Sequence, residues 1–222
     1  MLYLSLAVIC SVLVSVLLKV AGRRQLDVSQ MVTWNYLVAA TLTAVVLQPP
    51  LDSLRAPHAP WLSLLALAVV LPSIFLVLGR AVAVAGIVRS DVAQRLSLLL
   101  SLAAAFLFFG QTATPWKLAG LGLGLLAMVA ISLRPRGPVV ASSPGGWGWL
   151  LGVWAGFAVV DVLLKQVALS GTPSMAAVLA SFSVAFVLML ALQLWRHASG
   201  RSRLAWRNLG AGALLGLLNG GN

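Results

Sequence analysis

The residues with the clearest chemical potential are charged side chains that stand inside apolar stretches of the chain. Asp161 lies well within a long run of apolar residues, and Lys165 follows it four residues later. That spacing is one helical turn, so the two side chains can pair. A carboxylate in such a run either forms a structural ion pair or binds a substrate or a proton, and the sequence leaves both interpretations open.

A second charged group repeats this spacing. Asp91 and Arg95 are also four residues apart, and Gln94 stands beside them. The uncharged stretch that follows, Leu96 to Phe109, has 14 residues, whereas a membrane-spanning helix needs about 20. The group therefore belongs at or inside the boundary of an apolar layer. A structural pair is favoured for Asp91 and Arg95, and all three residues are candidates for binding a substrate.

Two amides complete the set of candidate substrate-binding residues. Asn35 and Asn219 lie within apolar runs, where an amide either binds a ligand or joins neighbouring helices by hydrogen bonds. The chain has one cysteine and two histidines, with both histidines in breaks between runs. A membrane serine protease needs a serine and a histidine inside the bilayer. We therefore expect no enzyme activity, no metal and no cofactor.

The composition indicates the environment that surrounds these residues. Hydrophobic residues make up 61% of the 222 residues and charged residues 9%, against roughly 25% charged residues in soluble domains. The apolar runs must be helices, because an open strand would leave backbone groups unpaired in lipid. The sequence therefore predicts an all-α integral membrane protein in contact with the lipid bilayer. Eight runs are long enough to be considered: 2–20, 30–48, 60–81, 90–109, 115–133, 147–168, 174–195 and 208 to the end.

An internal repeat divides the runs into two blocks. The segment VSVLLK at 14–19 matches VDVLLK at 160–165, an offset of 146 residues. The predicted domains are a first block at 1–134 with five helices, a linker at 135–146, and a second block at 147–222 with three. Because five helices return the chain to the opposite side of the membrane, the second block is predicted to be inverted relative to the first.

Several segments resemble a known family. The stretch from Asp91 to Pro135 resembles the fourth and fifth helices of an EamA-type repeat of the drug/metabolite transporter superfamily, and the segments at 33–36 and 215–219 are similar to other members. The resemblance implies two inverted five-helix repeats, ten helices in all, and a central cavity that moves small metabolites or drugs by alternating access. Gln111 stands where the family usually has glutamate. The alternative interpretation is a structural or regulatory membrane protein without transport.

The net charge of +11 also carries information. We attribute it to the positive-inside bias of membrane proteins and not to nucleic-acid binding, because the charges occupy short breaks. Twelve of the fifteen basic residues flank the breaks after the first, third, fifth and seventh runs. This bias predicts that the N-terminus lies outside, although the family pattern is usually the reverse. The expected location is a cell membrane, the inner membrane of a bacterium.

The eighth run predicts an incomplete second repeat. From Asn208 to Asn222 it covers about 22 Å at 1.5 Å per residue, which is short of a hydrocarbon core of about 30 Å. On this basis the chain is expected to be a fragment that lacks further C-terminal helices, and the fragment alone is not expected to transport.

Overall fold

The computed structural model describes residues 2–55, 59–109, 114–116, 118–120, 122–123, 126, 146–202 and 205–220. Within these residues the regular structure is helical. The α-helices are α1 (Leu2–Arg23), α2 (Val28–Leu42), the short α3 (Asp52–Arg55), α4 (Trp61–Ala85), α5 (Ile87–Phe109), α6 (Gly146–Leu169), α7 (Ser174–Ala198) and α8 (Trp206–Gly220). A π-helical turn at Thr43–Leu47 extends α2. The sequence predicted neither this turn nor α3.

Local chemistry explains where two of the helices begin. Asp27 caps α2, because its side chain accepts a hydrogen bond from the backbone N–H of Ser29 at 2.9 Å, as N-cap residues do. A single residue, Gly86, separates α4 from α5, and its φ of 89° is one that side chains other than glycine rarely adopt. The break between the third and fourth runs is therefore much shorter than predicted.

The helices confirm an all-α multi-pass membrane protein. In the part of the chain that the structure describes, four helical segments are long and apolar enough to cross a membrane: Val28–Leu47, Trp61–Ala85, Gly146–Leu169 and Ser174–Ala198. More than half of the fifth predicted run, 115–133, lies outside the described residues. All of the linker at 135–146 except Gly146, and Gln111, also lie outside them.

The chain direction gives the bundle two distinct ends. We call the end where α1, α4 and α7 finish and α2, α5, α6 and α8 begin the Asp27 end. Gly146 confirms the placement of α6, since a Cβ atom there would lie 3.6 Å from Val84 and 3.8 Å from Ala85, at the end of α4. Antiparallel helices therefore face each other in the α2–α7 and α4–α6 pairs, whereas α2 and α8 run parallel.

Glycines bring α8 very close to α2, which is the most extensive helix pair in the described chain. A Cβ atom on Gly212 would lie 2.6 Å from the carbonyl oxygen of Met31, and one on Gly216 would lie 2.8 Å from the carbonyl oxygen of Asn35. Small residues spaced by four, as Gly212 and Gly216 are, allow this kind of close approach between helices. On α6, Gly156 packs in the same way against Ile74 of α4.

Burial in α2 and α7 follows the 146-residue offset of the sequence repeat. Six residues of α7 are buried, and five of them correspond at this offset to buried residues of α2 or its π turn. The corresponding pairs are Gln30 and Ala176, Met31 and Ala177, Asn35 and Ser181, Ala39 and Ala185, and Thr43 and Met189. The two helices thus turn the same faces inward although they run in opposite directions.

The contacts between helices also agree with the repeat, because they are preserved when each helix is exchanged with its repeat counterpart. If α2 is exchanged with α7, and α4 with α8, the α2–α8 interface becomes the α7–α4 interface, and both exist. If α1 is also exchanged with α6, the α4–α6 interface becomes the α8–α1 interface, and both of these exist as well.

Candidate functional site

A cleft of about 260 Å³ lies between α1, α5 and α6. This volume is close to the lower limit of ordinary small-molecule pockets. Four of the residues that the sequence singled out line it together: Asp91, Gln94, Arg95 and Asp161. The remaining lining residues, which the sequence did not single out, are Ser11, Ser97, Leu98 and Phe157.

One face of α5 supplies the wall nearest the Asp27 end. Asp91, Arg95 and Leu98 are spaced by four and three residues, so they fall on one side of a helix. The Nε of Arg95 donates to Oδ2 of Asp91 at 2.9 Å, which forms the predicted ion pair. The two side chains are 47% and 35% exposed, so this pair neutralises its charges while remaining accessible from the cleft.

A hydrogen bond between helices fixes the position of α6 along the axis of α5. The indole N–H of Trp154 donates to the backbone carbonyl of Leu96 at 3.1 Å. Phe157 and Asp161 come one and two turns later, so they lie deeper in the bundle. At 1.5 Å per residue, Asp91 lies about 6 Å and Asp161 about 22 Å from the Asp27 end of their helices. The cleft therefore leads from the edge of the apolar layer into its interior.

The Asp161 carboxylate occupies this inner end. The Ser101 hydroxyl of α5 lies beside it, but that hydroxyl donates its hydrogen bond to the backbone carbonyl of Leu98 at 3.0 Å. The second carboxylate oxygen, Oδ2, is buried and has no hydrogen-bond partner among the described residues. A buried oxygen without a partner is unfavourable by about 1–3 kcal/mol, so a proton or ligand that reached this oxygen would find an unused acceptor.

The other predicted site residues lie away from the cleft lining. Lys165, on the next turn after Asp161, is half-buried and engaged, and its pairing with Asp161 stays a prediction. Asn35 is fully buried in α2, and neither polar atom of its amide has a partner within the described chain. Asn219 is half-buried near the end of α8. The structure therefore does not bring these two amides to the Asp161 site.

A second polar cluster, which the sequence did not single out, joins three helices at the Asp27 end. We call it the Asp27 network, and it consists of Asp27, Ser29, Gln30, Gln193, Arg196 and Asn208. Its charged link is the ion pair between Oδ2 of Asp27 and Nη2 of Arg196, at 3.5 Å. These side chains stand at helix ends, and a sequence pattern alone does not distinguish such residues from solvated ones.

The amides of the Asp27 network join α2 to α8. Nδ2 of Asn208 donates to Oε1 of Gln30 at 2.9 Å, and Oδ1 of Asn208 accepts from the backbone N–H of Asp27 at 3.3 Å. Gln30 in turn donates to Oδ2 of Asp27 at 3.4 Å. Gln193 of α7 donates to the Ser29 hydroxyl. The Asp27 network thus links α7 to α2 and α2 to α8.

Comparison with known proteins agrees with this architecture. The EamA-like transporter family matches residues 1–133. The chain is also 37% identical, over 223 aligned positions, to a protein of Haemophilus influenzae described as uncharacterized, and the match covers 96% of this chain and 74% of that protein. No solved structure matches the chain. The family match, a relative of this identity and the helical membrane architecture agree, and the chain belongs to the EamA-like transporter family.

Proposed function

We propose that the protein moves small metabolites or drugs across the membrane by alternating access, and that the cleft between α1, α5 and α6 is its substrate path. Family membership supports transport of a small molecule in general. The observation that supports this particular path is the Asp161 carboxylate, which lies at the inner end of the cleft with a buried oxygen that has no partner among the described residues. Ionisable groups inside a membrane commonly mark transport pathways.

In this proposal the cleft contributes two kinds of contact. Asp161 accepts a proton or a cationic group of the substrate, and Phe157 and Leu98 contact its apolar part. Gln94 and the Asp91–Arg95 pair lie nearer the entrance and orient the substrate's polar groups. Because Asp91 and Arg95 already neutralise each other, the entrance does not repel either sign of charge strongly.

We also propose that 1–134 and 147–222 are inverted repeats joined by the linker at 135–146. The shared burial of α2 and α7 at the 146-residue offset supports this arrangement, as does the exchange of helix contacts. In transporters built this way, one repeat moves against the other around a central site. The arrangement therefore gives the cleft a means of opening to each side in turn.

Replacement of Asp161 tests the proposed path. The complete chain, as its gene encodes it, is reconstituted in vesicles and screened for saturable uptake of radiolabelled amines, amino acids, organic acids and sugars. We expect Asp161→Asn to reduce uptake of the transported compound at least about tenfold, since an amide neither takes up a proton nor attracts a cation. Asp52→Asn, an exposed site in α3, is the matched control and should retain uptake within about twofold of the unaltered chain. Full uptake by Asp161→Asn would disprove the role of this carboxylate.

The orientation follows from the charges. Basic side chains are concentrated at the Asp27 end. Among the described residues, examples are Arg196, Arg201 and Arg207. The positive-inside rule leads us to propose that this end faces the cytoplasm of a bacterial inner membrane, with the N-terminus outside.

Cysteine labelling tests the orientation in a chain that carries Cys10→Ser. Ser199→Cys places a thiol at the exposed end of α7, and Ser170→Cys places one in the exposed turn after α6, at the opposite end. In intact spheroplasts, an impermeant maleimide should label position 170 and spare position 199 until the membrane is permeabilised. The reverse pattern would invert the proposed topology.

A further inference from the structure

The contact between α2 and α7 lies where the two proposed repeats meet. Tyr36 and Phe182 correspond at the 146-residue offset, and their rings are in contact with centroids 5.5 Å apart. A residue can touch its own repeat counterpart only close to the axis that relates the two copies. We call this contact the α2–α7 seam. It therefore runs along the axis about which two inverted repeats would rock.

The seam can be followed from the Asp27 end to the middle of the bundle. At the Asp27 end, Ser29 contacts Gln193 through a hydrogen bond. Further in, Val32, Ala185 and Met189 belong to one buried apolar cluster with Tyr36. Residues further from the Asp27 end along α2 thus contact earlier residues of α7, as expected for antiparallel helices.

The two ends of the seam differ in chemistry. At the Asp27 end it is closed by an ion pair and side-chain hydrogen bonds from the Asp27 network. At the opposite end, the repeat counterparts of the network residues of α2 and α7 have no charge and no hydrogen-bonding side chain. These counterparts are Pro173, Met175 and Ala176 for Asp27, Ser29 and Gln30, and Leu47 and Pro50 for Gln193 and Arg196.

The closed end is also poised to change. Arg196 and Asp27 are 29% and 24% exposed, so water reaches both partners and can replace their contact. Oε1 of Gln193 is buried and has no hydrogen-bond partner among the described residues. A network with an unused buried acceptor gains a partner when water enters, which lowers the free energy needed to open it.

We propose that the Asp27 network is the gate that closes the α2–α7 seam at the Asp27 end, and that the Asp27–Arg196 ion pair is its releasable link. This inference rests on the alternating-access function proposed above and assigns the gate residues. In this structure the α2–α7 seam is closed at the Asp27 end, while the separate cleft between α1, α5 and α6 keeps its entrance there. When the ion pair and the Ser29–Gln193 contact separate, the repeats rock apart at this end, while the apolar opposite end closes by packing alone.

Two repeat counterparts provide matched reporters for the test. Met189 and Thr43 are 5% and 7% exposed; Met189 lies one turn inside the Asp27 network, and Thr43 lies near the opposite end. In the Cys10→Ser chain, Met189→Cys and Thr43→Cys each place a single buried thiol along the seam. A thiol reacts with maleimide as the thiolate, so its alkylation rate reports how often water reaches that position.

Two substitutions release the ion pair by different routes. Arg196→Gln removes the cation. Asp27→Ser removes the anion but keeps an oxygen that caps α2, since serine is a good N-cap residue. We expect either change to raise the alkylation rate at position 189 about threefold to tenfold, as expected for a partly exposed ion pair and the hydrogen bonds around it. The rate at position 43 should stay the same or fall. Because both changes break the same ion pair, and Asp27→Ser also removes the acceptor for Gln30, the double variant should match Asp27→Ser alone.

The remaining outcomes would overturn the proposal. Equal increases at positions 189 and 43 would mean that the network only holds the bundle together, and unchanged rates at 189 in both variants would mean that it does not gate the seam. If Arg196→Gln folds poorly, Asp27→Ser still decides the question, because α2 keeps its cap. Alkylation requires no substrate, so this result is separate from the uptake test of Asp161.

Discussion

The cleft and the Asp27 network use the same kinds of side chain for opposite purposes. Each contains an ion pair of aspartate with arginine, and each contains glutamine. In the network, hydrogen bonds from three helices join most of the polar groups to one another, and of its buried polar atoms only Oε1 of Gln193 lacks a partner among the described residues. In the cleft, the pair is formed within a single helix, and Asp161 keeps an oxygen without a partner in the described chain. Polar groups satisfied across helices hold the bundle in one state, whereas polar groups left unsatisfied are available to a ligand.

This comparison makes a general prediction about mutants. Changes in and around the Asp27 network should lower stability, because they remove contacts that join separate helices. Changes in the cleft should lower transport while leaving stability nearly intact. Three substitutions with matched controls test this division, from the largest expected effect on stability to the smallest.

The close approach of α8 to α2 should be the most sensitive feature. Gly212→Ala places a methyl group 2.6 Å from the Met31 carbonyl oxygen and 2.9 Å from the Met31 Cα, and backbone atoms cannot rotate away. We expect a loss of about 2–3 kcal/mol, as for other overpacked sites, and separation of Asn208 from Gln30. Thermal unfolding in detergent measures the effect. Gly210→Ala, where nothing lies within 4 Å, is the control and should be neutral or slightly stabilising; an equal loss there would show that packing is not the cause.

The amide of Asn208 should come next. Asn208→Ala removes the donor to Gln30 and the acceptor for the backbone N–H of Asp27. We expect about 1–2 kcal/mol of destabilisation, although Oε1 of Gln30 keeps the longer hydrogen bond from the backbone N–H of Ala205 at 3.4 Å. The matched control is Asn219→Ala on the same helix, because the half-buried Asn219 side chain makes no hydrogen bond to the described residues. It should change stability by less than about 0.5 kcal/mol. Similar losses from both substitutions would mean that the network is not a special source of stability.

The Asp91–Arg95 pair should contribute least to stability. Both side chains are more than a third exposed, and solvent screening keeps such pairs below about 1 kcal/mol. We therefore expect Arg95→Gln to shift the unfolding temperature only slightly, yet to raise the KM for uptake several-fold because the cleft entrance changes charge. Arg80→Gln, an exposed position on α4, is the control for loss of a basic residue. A large loss of stability in Arg95→Gln with normal uptake would reverse the comparison between the two regions.

Several site residues could be predicted because membranes make charge conspicuous. Asp161 and the group at 91–95 stand out in sequence, since an ionisable residue among apolar ones needs a reason. The serines and the aromatic residue of the cleft could not be recognised in this way. Ser11 and Phe157 resemble many others in apolar runs, and only the packing of α1 and α6 against α5 brings them beside Asp161.

Helical fold class, the membrane environment and the 146-residue repeat were readable from the linear chain, because hydrophobicity and periodicity are local properties that survive without knowledge of neighbours. The convergence of Asp91 with Asp161, the distance of Asn35 from the cleft and the joining of Asp27 to Arg196 depended on the tertiary structure. Residues 27 and 196 come from helices far apart in sequence, and their meeting is decided by how closely α2, α7 and α8 pack. That approach depends on the shape of whole helix faces, including the absence of a Cβ at Gly212, and no single segment of sequence contains it.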